Sequence, residues 1–129
     1  MRMADRRFHI LLVEDNVGEA QLIEQILPDC QLIGRDCQLK TIVNPREVIP
    51  FLRSPEAHGY VPDLVILDYI MPIDGGLTLV ELKGDPKFLH IPVVVLTGLR
   101  DPLAICDVYR RGANCCYHKP SRLAEWESS

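Results

Sequence analysis

The sequence predicts an α/β fold with a parallel sheet between helices, and three observations carry that prediction. Apolar runs without alternation recur at Phe8 to Val13, Leu64 to Leu67 and Ile91 to Leu96, as in strands buried on both faces. Segments of helical spacing, bracketed by capping residues and chain breakers, alternate with these runs. Each run also ends in polar residues, where open α/β sheets place their ligands.

The first strand, FHILLV, ends at Glu14, Asp15 and Asn16. Asn16 is a good N-cap, and Glu19, three positions on, completes a capping box. Ala20, Ile23, Ile26 and Leu27 then keep helical spacing until Pro28. After a loop around Gly34, Leu39 to Val43 form a shorter strand. Asn44 and Pro45 suit the N-cap and first position of a second helix. Pro50 falls where that helix should be in mid-course, at roughly 3 kcal/mol in a regular interior, so the helix is expected to be short or kinked. Positions 54–62 are a loop rich in breakers.

The stretch PDLVILDYIMP organises the rest: a buried strand delivers one carboxylate, Asp68, at its C-terminal end. Met71 and Pro72 are expected to turn the chain, because proline cannot extend a central strand. Asp74, Gly75 and Gly76 precede a helix expected from about Leu77 to Lys83, ended by Gly84 and blocked by Pro86. The fourth strand, IPVVVL, runs into Thr97 and Gly98. Asp101 caps a further helix with Pro102 at its first position, and that helix stops at Gly112. Cys115 to His118 make a short fifth strand ending at Lys119 and Pro120, and only SRLAEWESS follows.

A chain of 129 residues, 47% hydrophobic and 25% charged, suits one globular domain over residues 1–129. A net charge of −4 and the lack of a basic run argue against a nucleic-acid surface. No apolar stretch has membrane-spanning length. The start, MRMADRRF, lacks the apolar region of a signal peptide, so a cytoplasmic protein is expected. Five cysteines without a C-x-x-C argue against a disulfide framework or a zinc site, and are expected to serve as small buried hydrophobes.

In a doubly wound sheet the strand ends lie along one edge, so Glu14, Asp15, Asp68, Thr97 and Lys119 should meet in one crevice. Singly, each has an ordinary role: a helix cap, a turn residue, a β-branched strand residue, a solvated charge. Their joint order along the strand ends carries the inference. Three carboxylates held together repel unless a cation lies between them. Oxygen ligation by few protein groups suits Mg²⁺, which leaves positions for a phosphoryl oxygen. With Lys119 as a compact charge and Thr97 as a hydroxyl, the set is suited to a transferred phosphoryl group, and a central carboxylate can act as nucleophile.

These residues, in ILLVEDN, VILDYIMP, VVVLTG and HKP, resemble the receiver domain of two-component response regulators over nearly the whole chain. GDPKFLHIPVVVLTG and GANCC are similar to the small single-domain receivers that partner phytochrome-type kinases. The resemblance implies a flavodoxin-like sheet of five parallel strands in the order 2-1-3-4-5. It implies Asp68 as phosphoacceptor, with Glu14, Asp15, Asp68 and the Ile70 backbone carbonyl around Mg²⁺. Thr97 and Lys119 would bind the phosphoryl group, and the Lys119–Pro120 bond would be cis. The donor would be a partner histidine kinase or phosphotransfer protein. The protein would then be a phosphoacceptor rather than an enzyme acting on a separate substrate.

Three features depart from the family pattern. Cys116 stands where the family carries a switch aromatic, and Tyr117, one residue on, should face the other side of the sheet. The family's Asp-Gly after the proline is shifted, with Asp74 one residue early and Gly76 in the glycine position. Nine residues after Pro120 leave the last helix short or missing. The face that helix normally covers is expected to be a homodimer contact, unless the chain is the N-terminal receiver of a longer regulator. Ile70 and Leu99 are apolar and cannot orient an attacking water, so slow loss of the phosphoryl group is expected.

Two other function classes stand beside this one. A Mg²⁺-dependent phosphohydrolase of the haloacid dehalogenase type needs a general-acid aspartate two residues after the nucleophile, and Ile70 argues against it. A receiver-fold interaction module with weakened or lost phosphate switching is favoured by Cys116 and opposed by the full acidic set.

Overall fold

The computed structural model describes residues 8–26, 37–54, 60–68, 72–98 and 101–118. Its elements run β1 (Phe8–Val13), α1 (Val17–Ile26), β2 (Cys37–Ile42), a 3₁₀ turn (Pro45–Glu47), α2 (Val48–Arg53), β3 (Leu64–Asp68), α3 (Pro72–Gly84), β4 (Val93–Thr97), α4 (Pro102–Arg110) and β5 (Cys115–His118). The five strands form one sheet in the order β2-β1-β3-β4-β5, every pair parallel. The flavodoxin-like fold expected from the sequence is therefore the one observed. The strand order reverses between β1 and β3, which makes the crevice between their C-terminal ends the topological switch point.

Alternation along the central strands divides the core in two. Leu11, Val13, Val65, Leu67, Val93 and Val95 face α2, α3 and α4, meeting Val48, Leu52, Leu79, Leu82 and Val108. Ile10, Leu12 and Ile66 face the other way, onto Ala20 and Ile23 of α1. Because both faces are covered, the strands read as unbroken apolar runs.

Several boundaries differ from the sequence expectation. The 3₁₀ turn and α2 divide the second helix, so Pro50 lies in the first turn of α2, where its missing N–H costs nothing. Asn44 caps the 3₁₀ turn by accepting from the Arg46 N–H at 3.0 Å. Helix α3 begins at Pro72, five residues before the expected Leu77, so Asp74, Gly75 and Gly76 are helical. Proline there opens a helix instead of turning a loop, since its fixed φ suits the first helical position. Strand β2 starts at Cys37, two residues early, and β4 starts at Val93, after Pro92.

Helix α4 follows its sequence reading closely: Asp101 Oδ1 accepts from the Leu103 N–H at 3.0 Å, and Pro102 takes the first position. Gly112 then turns the chain into β5 with φ of +112°, a conformation that side-chain-bearing residues rarely adopt. Asn114 joins β5 to β4, its N–H donating to the Val93 carbonyl and its Oδ1 accepting from the Val93 N–H, both at 2.9 Å.

The cysteines depart in part from the expected buried role. Cys106 is exposed on α4, while Cys115 and Cys116 are half-buried free thiols. Burial, and secondarily Cys115, pushes the Cys116 thiol pKa up. Cys30 and residues 119–129 lie outside the described residues, and with them the expectations for a short or missing last helix and the face beside it.

Candidate functional site

The site is built where β1, β3 and β4 end. In the parallel register Val13 pairs with Leu67, Asp68 with Leu96, and Thr97 with His118. Asp68 is thus the last residue of a central strand, and Glu14 is the first residue beyond its neighbour. The Glu14 N–H donates to the Ile42 carbonyl at 3.1 Å, which extends the sheet by one residue and fixes the Glu14 backbone. Glu14 is fully buried, Asp68 is 5% exposed and Thr97 is 1% exposed. Carboxylates are almost never buried to this degree unless paired or coordinated.

The Asn16 cap organises the other wall. Its Oδ1 accepts from the Glu19 N–H at 3.1 Å, as the capping-box reading requires. The reciprocal half differs, because the Asn16 N–H donates to Glu14 Oε1 at 3.2 Å. The Glu19 carboxylate instead joins those of Glu14 and Asp68, with one oxygen from each lying within 4.8 Å of the others.

The carboxylates that lie together in this structure are not all those expected from the sequence. Asp15 does not belong to that group among the described residues; Glu19 does. Glu14, whose backbone still pairs with the sheet, is fully buried. Asp15 is half-buried beside it. Glu19, the third residue of α1, lies in its first turn and joins the group from there. In the sequence the Asn16–Glu19 spacing points only to a helix cap, which leaves the Glu19 carboxylate unplaced.

Thr97 ends β4, one register step beyond Leu96, the partner of Asp68. Cys116 pairs with Val95 and packs against the core beneath α2, α3 and α4, whereas Tyr117 is 59% exposed. The two therefore point to opposite sides, as the alternation argument required. The Cys116 N–H is held by the Tyr109 hydroxyl of α4 at 3.0 Å. Ile70, Lys119, Pro120 and Leu99 lie outside the described residues.

The donor set fits a hard divalent cation. Mg²⁺ takes oxygen ligands at about 2.1 Å, so two on opposite sides of one ion stand about 4.2 Å apart. Carboxylate oxygens within 4.8 Å of one another stand close to that spacing. Nitrogen and sulfur donors, which suit zinc, take no part in this group.

The chain matches the family model described as "Response regulator receiver domain" over residues 10–128. It is 31% identical over 134 residues to two-component response regulator ARR9 of Arabidopsis thaliana, covering 95% of this chain and 57% of that protein. The chain thus spans just over half the length of this plant relative. It is 29% identical over 119 residues to response regulator Rcp1 of Synechocystis, covering 90% of this chain and 79% of that one. Among solved structures, the phosphorylated cyanobacterial phytochrome response regulator RcpA superposes with a TM-score of 0.81 at 32% identity, over 93% of this chain and 86% of that one. The Mn²⁺-bound form of Rcp1 gives 0.80 at 29% identity, over 92% and 85%. Among the described residues no helix is long and apolar enough to cross a membrane.

Proposed function

Because the chain belongs to the receiver-domain family of two-component response regulators, we propose that it is a phosphoacceptor switch whose reacting group is Asp68. The observation that carries this reading is the meeting of Glu14 and Asp68, buried side by side at the switch point of the sheet. An Asp68 carboxylate oxygen attacks the phosphorus of a phosphohistidine on a partner kinase or phosphotransfer protein. The phosphorus–nitrogen bond breaks, the imidazole leaves with its electron pair, and an acyl phosphate remains on Asp68.

Glu14, Asp15, Asp68 and the Ile70 carbonyl would hold Mg²⁺. When bound, the ion offsets negative charge on the phosphoryl oxygens. A divalent ion at such a site is supported by the Mn²⁺-bound form of Rcp1, a protein similar to this one. The Thr97 hydroxyl and the Lys119 ammonium then bind the new phosphoryl oxygens and favour one of two pre-existing conformations. The readout surface is α4 and β5, where Leu103 is 78% exposed and Tyr109 and Tyr117 are also exposed. A receiver of this kind works in the cytoplasm, beside the catalytic part of its kinase, and is not itself an enzyme with a separate substrate.

Acetyl phosphate with Mg²⁺ tests the reading. An acyl phosphate mapped to Asp68 by mass spectrometry, and absent from Asp68→Asn, is the expected result. No modification of the folded wild type under these conditions would leave the second reading, a receiver-fold interaction module without phosphate switching. Cys116 favours that second reading, because its amide is tied to Tyr109 and no aromatic side chain stands at that position to move with Thr97.

A further inference from the structure

Resting on the cation site just proposed, we infer that Glu19 is an additional cation-site carboxylate, which raises affinity for divalent ions and favours Mn²⁺ over Mg²⁺. The family resemblance assigns Glu19 no role in the site; its assignment comes from the geometry of this chain. The Glu19 backbone is fixed by its N–H bond to Asn16 Oδ1 at 3.1 Å, in the first turn of α1. In a complete capping box its side chain would return to the Asn16 N–H. That N–H is donated to Glu14 Oε1, and the Glu19 carboxylate lies with Glu14 and Asp68, all three within 4.8 Å.

The chemistry follows from charge count. Mg²⁺ dehydrates reluctantly, keeps several waters and is normally held by one or two carboxylates. With Glu14 and Asp68 in place, Glu19 makes a third, before Asp15 is counted. A third carboxylate replaces or orders a water that Mg²⁺ would retain. An ion that exchanges water for carboxylate more readily gains more from it, and Mg²⁺, which dehydrates reluctantly and demands near-ideal octahedral geometry, gains less than Mn²⁺. Glu19 thus acts both on affinity and on the ratio between the two ions.

Direct titration of the purified chain with Mn²⁺ and with Mg²⁺ tests this, using Mn²⁺ electron paramagnetic resonance and calorimetry without any phosphoryl donor. Glu19→Gln retains the backbone N–H that the Asn16 cap uses, so the helix start is preserved, which far-ultraviolet circular dichroism checks. Its Mn²⁺ affinity should fall about tenfold, the lower end of what loss of a metal-site partner costs. Its Mg²⁺ affinity should fall less, so that the Mn²⁺ to Mg²⁺ preference narrows. Glu81→Gln makes the same charge change at an exposed position on α3 and should stay within about twofold of wild type. The contrast should persist at about 1 M salt, where the screening length is roughly 3 Å and remote charges no longer matter.

A Glu19→Gln loss no larger than that of Glu81→Gln overturns the inference, as does an equal loss for both ions. Asp68→Asn separates the two claims. If it binds Mn²⁺ as tightly as wild type, the cation site of the proposed function is wrong. If it fails to bind while Glu19→Gln binds normally, only the role of Glu19 falls.

Discussion

Replacing Gly112 with alanine tests how the turn before β5 is held. Two costs arise at once. The backbone φ of +112° lies outside the conformations an alanine adopts comfortably, at about 1–3 kcal/mol. The new Cβ would also stand 2.6 Å from Lys83 Cγ and 3.0 Å from Lys83 Cβ, against an ordinary contact of about 3.5–4.0 Å. Lys83 cannot swing aside without loss, because its Nζ donates to the Ile91 carbonyl at 2.6 Å and the Leu89 carbonyl at 3.2 Å. Overpacking of this kind costs about 1–3 kcal/mol. Reduced freedom of the unfolded chain returns about 0.4–1 kcal/mol. The net loss should be about 2–4 kcal/mol, a large part of the roughly 5–15 kcal/mol typical of a domain.

Urea unfolding followed by circular dichroism measures the loss. A double-mutant cycle with Lys83→Ala, which removes Cγ, should recover about 1–2 kcal/mol of it, leaving the backbone part. A Gly112→Ala loss under about 0.5 kcal/mol would refute the argument for strain. An identical loss in the Lys83→Ala background would refute the steric half of it. The consequence reaches the site, because this turn sets β5 beside β4, where His118 is the register partner of Thr97.

Two further outcomes are expected. The Arg53 guanidinium, 2.8 Å from Asp85 Oδ2, and the Lys87 N–H at 2.9 Å hold the Asp85 carboxyl below the ordinary carboxylate range. A depressed folded-state pKa stabilises above the unfolded value and loses that contribution as pH falls through the folded value. The stability difference between wild type and Arg53→Ala should therefore be constant above about pH 5 and shrink in more acid solution; a difference independent of pH would contradict the pairing. On the function proposed above, replacing Leu99 with asparagine should speed loss of the phosphoryl group from Asp68, because asparagine can orient an attacking water and leucine cannot. Following the phosphorylated species by mass spectrometry tests this, and an unchanged lifetime counts against it.

The sequence by itself determined the elements whose causes are local. Unbroken apolar runs marked β1, β3 and β4 because a strand covered on both faces needs no polar side. Asn16 and Asp101 marked helix starts because the cap bond spans only two or three residues. The placing of Asp68 at a strand end, and of Glu14 beside it, was legible because parallel strands bring their C-terminal ends to one edge. Boundaries set by competing local rules were not legible. Pro72 was open to a turn or to a helix start, and Pro50 to a kink or to a first turn, until neighbouring elements settled where each helix began.

Only the tertiary structure decided which acids meet. Glu14 and Asp15 are adjacent carboxylates in the chain, yet one is fully buried and the other half-buried. In the sequence Glu19 points only to a helix cap, and it joins Glu14 and Asp68 from the first turn of α1. Convergence of that kind depends on the phase of a helix against the register of a sheet. That relation is set by packing of Ala20 and Ile23 on Ile10, Leu12 and Ile66, and by no short stretch of chain.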